Sequence, residues 1–137
     1  MDNSMSAIER KDYGFDRLYQ AVLYQPHTVA QMLREESALL KCQNYSGETV
    51  LEWFAVENNL EIITLLKDCG AEYSDYALAE ACCSGHVEMV YLLLGMGVVP
   101  DIAWCWDAIR RADVPRKTFV KIKRAFHRHG YKFIEVV

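Results

Sequence analysis

The chain has 137 residues, 52% apolar and 25% charged, with only 7 Gly and 3 Pro, which is enough apolar material for one folded domain and excludes a disordered composition. No apolar run approaches the roughly 18 residues of a membrane-crossing helix, and the N-terminal residues 1–16 lack the basic start and apolar stretch of a secretion signal. Five cysteines, an odd number with no CxxC pair, fit reduced thiols and a cytoplasmic location better than a disulfide framework.

In chain order, the first weak signal is Leu18, Met32, Leu33 and Ala38, which stand 33 residues before Leu51, Leu65, Leu66 and Ala71. Thr49 to Ala71 reads as a helix pair. Its residues Leu51, Leu65, Leu66, Gly70 and Ala71 recur as Leu78, Leu92, Leu93, Gly97 and Val98, now at an offset of 27. The six lost residues fall between Gly70 and Leu78, so the helices are kept and the connection is shortened. Tyr76 to Val98 then reads as a short helix carrying Ala77, Leu78 and Ala81, a turn at Gly85-His86, a second helix carrying Val87, Val90, Leu93 and Leu94, and a stop at Gly97. Ala103 to Ala112 and Arg116 to His129 follow as helices, with Pro115 suited to a first helical turn and Gly130 to the stop. Two helices of this size cannot bury their faces alone, so stacked neighbours are required.

These residues resemble the ankyrin repeats, a family with a period of about 33 and the signature T-P-L-H-x-A. The unit from Asn44 carries the likeness best, with Asn44 to Gly47 at the loop tip, Thr49-Val50-Leu51 at the helix start, then Leu65-Leu66 and Gly70-Ala71. The next unit adds Ala77-Leu78, Gly85-His86-Val87-Glu88, Leu92-Leu93-Leu94 and Gly97. The resemblance implies an all-α solenoid of about four stacked helix-turn-helix units, with short loops in place of full β-hairpins. The expected organisation is one domain over 1–137, with a cap-like unit at about 14–43, repeats at about 44–75 and 76–101, and a basic C-terminal cap at 102–137. Two departures from the family pattern matter. Glu52 and Ala79 stand where the signature His usually links neighbouring repeats, and Val50 and Ala77 replace the signature Pro. Other contacts must then supply part of the order between repeats, with the indoles of Trp53 and Trp106 as candidates.

The resemblance also implies a concave partner-binding face made of loop tips and first helices. Carried over by position, its candidates are Tyr45, Ser46 and Glu48 at the tip, Val56 and Glu57 on the following helix, Cys83 and Ser84 in the next unit, Leu23 and Tyr24 in the first, and Ile109 and Arg110 in the last. Tyrosines suit such a place because they offer large contact area at little entropic cost. The shortened connection before Tyr76 should narrow the surface there.

Charge is polarised along the chain. Residues 1–109 hold 6 Lys/Arg against 17 Asp/Glu, a net −11, and residues 110–137 hold 9 against 2, a net +7, within an overall −4. Glu48, Glu52, Glu57, Glu80 and Asp107 lie on tips or first helices, where they either make an acidic face that steers a basic partner or belong to a charge spread evenly over an acidic protein. Lys117, Lys121, Arg124 and Arg128 recur at spacings of four, three and four, which lines one face of the last helix. That stripe is either a phosphate- or acidic-partner contact or the solvated outside of a cap helix, and no interleaved aromatics support base stacking.

No catalytic constellation is expected. His86 occupies a turn position that the family uses structurally, His127 and His129 point to different sides of a helix, and Cys82-Cys83 are adjacent on different faces. No phosphate-cradling Gly loop, nucleophile elbow or zinc-helix motif occurs. The expectation is a non-catalytic protein-protein interaction module with no cofactor, no metal, no small-molecule substrate and no membrane association. A more specific form is an immunity or inhibitor protein covering a basic toxin or nuclease. The alternative is nucleic-acid or acidic-partner binding through the C-terminal basic helix, with the solvated face of a cap helix favoured over nucleic acid.

Overall fold

The computed structural model describes residues 7–97 and 99–133, with side chains from residue 13 onward. Eight α-helices follow one another among these residues: α1 (Ala7–Tyr24), α2 (Val29–Glu35), α3 (Val50–Val56), α4 (Leu60–Asp68), α5 (Asp75–Cys83), α6 (Val87–Leu94), α7 (Ile102–Ala112) and α8 (Arg116–Arg128), with short 3-10 turns at Pro26–Thr28 and Ser37–Lys41. Several starts are set by side-chain caps, which satisfy backbone N–H groups that no helical carbonyl can reach. Thr49 accepts from the Glu52 amide, Asn59 from Ile62, Ser74 from Ala77 and Asp101 from Trp104. Pro115 takes the capping position before α8 rather than a place in its first turn.

The turns inside the helix pairs share one device. After α3, α5 and α7 the chain reverses through left-handed residues, Asn58 (φ 57), Gly85 (φ 72) and Asp113 (φ 54), the residue types that bear this conformation at least cost. The amides of Asn59 and His86 then bond back to the carbonyls of Phe54 and Ala81, both at 2.9 Å, closing the helix ends in the Schellman manner.

Each pair stacks on the next. α5 packs between α3 and α7, α6 packs against α4 and α8, and α1 lies against α2 and α3. One continuous apolar core results, with Leu18, Ile63, Leu66, Leu78, Val90, Leu93, Ile122 and Phe126 all fully buried. Aromatic clusters close both ends. Trp53 meets Phe15 and Tyr19 edge-on at 6.4 and 6.2 Å, and Trp106 packs against Phe119 and Phe133 at 5.4 and 5.7 Å, so both indoles supply packing at the ends of the array.

The connections between pairs differ as the change of offset requires. Between α2 and α3, Asn44 to Gly47 form a tight turn flanked by a single antiparallel bridge, Gln43 to Thr49, a reduced form of a hairpin finger. Between α4 and α5 the chain crosses directly from Gly70 to Ser74 without a bridge. Matched on their C-terminal turns, Asn58 and Gly85 are 27 residues apart, yet their helices start at Val50 and Asp75, only 25 apart. The longer α5 has therefore taken up two residues of the missing finger.

Candidate functional site: the first-helix face and its tip

Carboxylates do the linking between neighbouring units. One oxygen of Glu52 accepts from the Thr49 amide at 2.9 Å, completing a capping box, and the other accepts from the Ser74 hydroxyl at 2.6 Å in the next unit. Tyr76 donates to Glu48 at 3.3 Å. One unit further, Asp75 Oδ1 accepts from the Tyr73 hydroxyl at 2.6 Å and from the Asp101 amide at 2.9 Å. Charge-assisted bonds of this kind are roughly twice as strong as neutral ones. They also perturb the phenols: burial, reinforced by the nearby Glu48 charge, pushes Tyr76 up to about 12, and burial together with the bond to Asp75 raises Tyr73 further.

The tip is stiffened locally. The Asn44 side chain accepts from the amides of Ser46 and Glu48, both at 3.0 Å, while the Gly47 amide returns to the Asn44 carbonyl at 2.9 Å. Tyr45 is thereby held out into solvent, 90% exposed. Ser46 is exposed beside it and Glu48 is half-buried under its contact with Tyr76.

A groove of about 550 Å³ separates this tip from α1, lined by Tyr13, Phe15, Asp16, Tyr19, Asn44, Tyr45, Ser46 and Trp53. A smaller recess on the other side of the tip is lined by Ser46, Gly47, Glu48, Glu52 and Tyr76. Further along, Val56 and Glu57 at the end of α3 and Ser84 at the end of α5 are exposed. Arg110 is exposed on α7, with its guanidinium 3.5 Å from Asp107, which also pairs with Arg111 at 2.8 Å.

The residues carried over by position do not all share this surface. Tyr24, although 73% exposed, lines a separate groove with Arg17, Gln20, Gln25 and Met32. Ile109 is corrected outright: it is 4% exposed and belongs to the core, because α7 packs on α5. Conversely, Tyr13, Asp16, Tyr19 and Trp53 line the groove and are not among the residues expected to bind. Their signal lies in the spacing of Tyr13, Asp16 and Tyr19, which places them at successive turns of one helix side, and in Trp53, whose position beside the tip only the fold reveals.

The basic stripe is present as a surface: Lys117, Lys121, Arg124 and Arg128 are all exposed on α8, opposite buried Ile122, Ala125 and Phe126. Arg128 lies over the Tyr91 ring, 5.9 Å from its centre.

Three of the thiols are pushed away from the ionised, nucleophilic form. Cys82 and Cys105 are both buried, and the hydrogen bond between them, followed by burial, raises Cys82. Burial likewise raises Cys69 and Cys83. His86 sits at the N-cap of α6. Among the described residues no group of three or more His, Cys, Asp and Glu is placed to hold a metal, and no helix is long and apolar enough to cross a membrane.

The model of the family described as ankyrin repeats (3 copies) matches residues 7–103, well over half of the chain. The chain belongs to the ankyrin-repeat family. Its all-helical stack of paired helices is the ankyrin solenoid, extended beyond the matched region by the rest of α7 and by α8. No curated protein and no solved structure matches it. Ankyrin repeats are in general protein-protein interaction modules and typically non-catalytic. In this ankyrin array the signature His is replaced by Glu52, which makes a polar link to the next unit from the opposite side of the donor-acceptor relation: it accepts where an imidazole N–H donates.

Proposed function

We propose that this protein is a non-catalytic binding module that holds a partner protein against the first-helix face and the Asn44–Glu48 tip. The observation that carries this reading is Tyr45, a large side chain 90% exposed on a turn made rigid by Asn44. A Tyr on a braced turn leaves only its own side-chain torsions to be ordered on binding, a small cost for a large contact area. Asp16, Glu48, Glu57 and Glu80 extend along the same row of tips and first helices, so the partner presents basic groups to it. Inhibition of a basic toxin or nuclease is the most specific form of this function, and the odd set of five cysteines fits an encounter in a reducing cytoplasm.

The test is capture of a partner from the native host by the wild-type chain and by a variant combining Tyr45→Ala, Glu48→Lys and Glu57→Lys. A loss of at least about tenfold in affinity is expected from removing a central aromatic and reversing two charges. Unchanged affinity rejects the surface.

A second contact, to an acidic protein or to nucleic acid, is supported by the exposure of all four cations of the α8 stripe on one face. Replacing Lys117, Lys121, Arg124 and Arg128 by Gln should then abolish retention at low salt and flatten its salt dependence. Retention unchanged by the four substitutions, or none by the wild type, removes this second role.

A further inference from the structure

We infer that the groove between α1 and the tip is a receptor for a single cationic side chain, Arg or Lys, presented by a basic segment of the partner. This receptor rests on the protein-binding role proposed above and names the group that the surface recognises. The groove combines three features. Its walls are aromatic: Tyr13 is 60% and Tyr45 90% exposed, and Trp53 lies half-buried between them and the core. Among the described residues its lining carries one carboxylate, Asp16, and no Lys or Arg. The rings beneath are already locked, since Trp53 meets Phe15 and Tyr19 edge-on and Tyr19 stacks on Phe54 at 5.3 Å.

Ring faces carry negative quadrupole potential, so a cation within about 6 Å of a ring centre is attracted, and more strongly when a carboxylate stands nearby and water is partly excluded. The protein itself uses this chemistry at the edge of the groove, where the Arg17 guanidinium lies 5.7 Å from the centre of the Tyr13 ring. Arg17 is held by Glu36 at 3.0 Å, so its charge is largely offset toward the α2 side. A neutral aliphatic chain of the same length would fill the groove equally well by area but would leave the Asp16 charge unanswered, and that difference makes the occupant cationic.

The probes are capped tripeptides Gly-X-Gly with X as Arg, Lys, trimethyl-Lys or norleucine, titrated into the whole chain while the assigned indole N–H signal of Trp53 is followed by NMR. The three cationic peptides are expected to shift this signal saturably in the millimolar range, at least about fivefold more tightly than norleucine, with their order distinguishing guanidinium from ammonium recognition. Asp16→Asn and Tyr45→Ala, both at exposed positions, should each weaken the response about threefold or more while the indole signals of Trp104 and Trp106 stay in place as evidence of an intact fold. An equal response to norleucine, no response to any peptide, or a response indifferent to both substitutions overturns the inference. Partner capture that still depends on Tyr45, Glu48 and Glu57 would in that case leave the binding surface standing without its cation receptor.

Discussion

The carboxylate of Glu52 caps its own helix through the Thr49 amide at 2.9 Å and accepts from the hydroxyl of Ser74 in the next unit at 2.6 Å. Ser74 in turn caps α5, so two helix starts in neighbouring repeats hang on one side chain. Glu52→Ala should cost about 2 kcal/mol, the sum of a lost cap and a lost charge-assisted bond. Ser74→Ala should cost about 1 kcal/mol for its own cap. Because the residues share a bond, a double-mutant cycle in urea should show a coupling energy of at least about 0.5 kcal/mol; strict additivity would mean that the contact contributes nothing to stability.

Tip and core should respond differently to truncation. Leu93 is fully buried between α6 and its neighbours, and Leu93→Ala should lower stability by about 3 kcal/mol. Tyr45→Ala, at a position 90% exposed, should stay within about 0.5 kcal/mol of the parent. Chemical denaturation of both variants checks this. A destabilisation of several kcal/mol from Tyr45→Ala would mean that the tyrosine is structural.

Stability should fall in base. Tyr76 ionises at about 12 in the folded chain because of burial and the Glu48 charge, against about 10 when unfolded, and Tyr73 is raised in the same direction. A raised phenol contributes stability that is complete below about pH 10 and is lost as pH climbs toward 12. Urea midpoints should therefore begin to fall above about pH 8.5, where the thiols of Cys69, Cys82 and Cys83, raised in the folded chain, ionise first in the unfolded one, and should drop further between about pH 10 and 12 as the phenols follow. Tyr73→Phe together with Tyr76→Phe should flatten that drop while costing about 1 kcal/mol at neutral pH for the lost bonds to Asp75 and Glu48.

Two glycines with positive φ separate strain from crowding. Gly47 (φ +85) has open space where the methyl of an alanine would point, whereas at Gly85 (φ +72) a Cβ would stand 3.1 Å from Thr118 Cγ2 on α8. Gly47→Ala should cost about 1 to 2 kcal/mol from backbone conformation alone. Gly85→Ala should cost more, and Thr118→Ser, which deletes the offending methyl, should recover the excess in Gly85→Ala but do nothing for Gly47→Ala. Urea midpoints of the four variants read the difference.

Thiol chemistry should follow burial. Cys82 and Cys105, both buried, with Cys82 raised by its neighbour Cys105 and by burial, should be alkylated at pH 8 only at the rate of unfolding, after the half-buried Cys42, Cys69 and Cys83. Mass mapping of a time course reads the order. Fast, selective labelling of a single cysteine would instead point to an activated nucleophile.

The inner helices and the glycine stops are legible in the chain because their causes are local. Thr49, Asn59, Ser74 and Asp101 cap the helices that follow them, and Gly85, Gly97 and Gly130 mark reversals at positive φ. The finger deleted before Tyr76 shows as a change of offset, since a deletion in a connection leaves the apolar positions of both helices in register. The groove is not legible in this way. Tyr13 and Asp16 stand far from Asn44 and Tyr45 in the chain, and they precede Leu18, the first residue whose offset to the next unit is legible, so no repeat register reaches them. Ile109 misleads for the same reason at the opposite end: α7 resembles the inner first helices too loosely for position alone to say which side meets α5.

Periodicity and charge are properties of neighbours along the chain, and they are enough to specify a stack of helix pairs, one long tip at Asn44 to Gly47, and an acidic body with a basic end. Packing between units is what brings Glu52 to Ser74, buries Ile109 in the core, puts Tyr24 and Tyr45 on different grooves, and gathers Tyr13, Asp16, Tyr45 and Trp53 around one groove. Those relations depend on how far each helix is rotated as it packs on the next, and rotation is set by the summed fit of side chains from several units rather than by any one stretch of the chain.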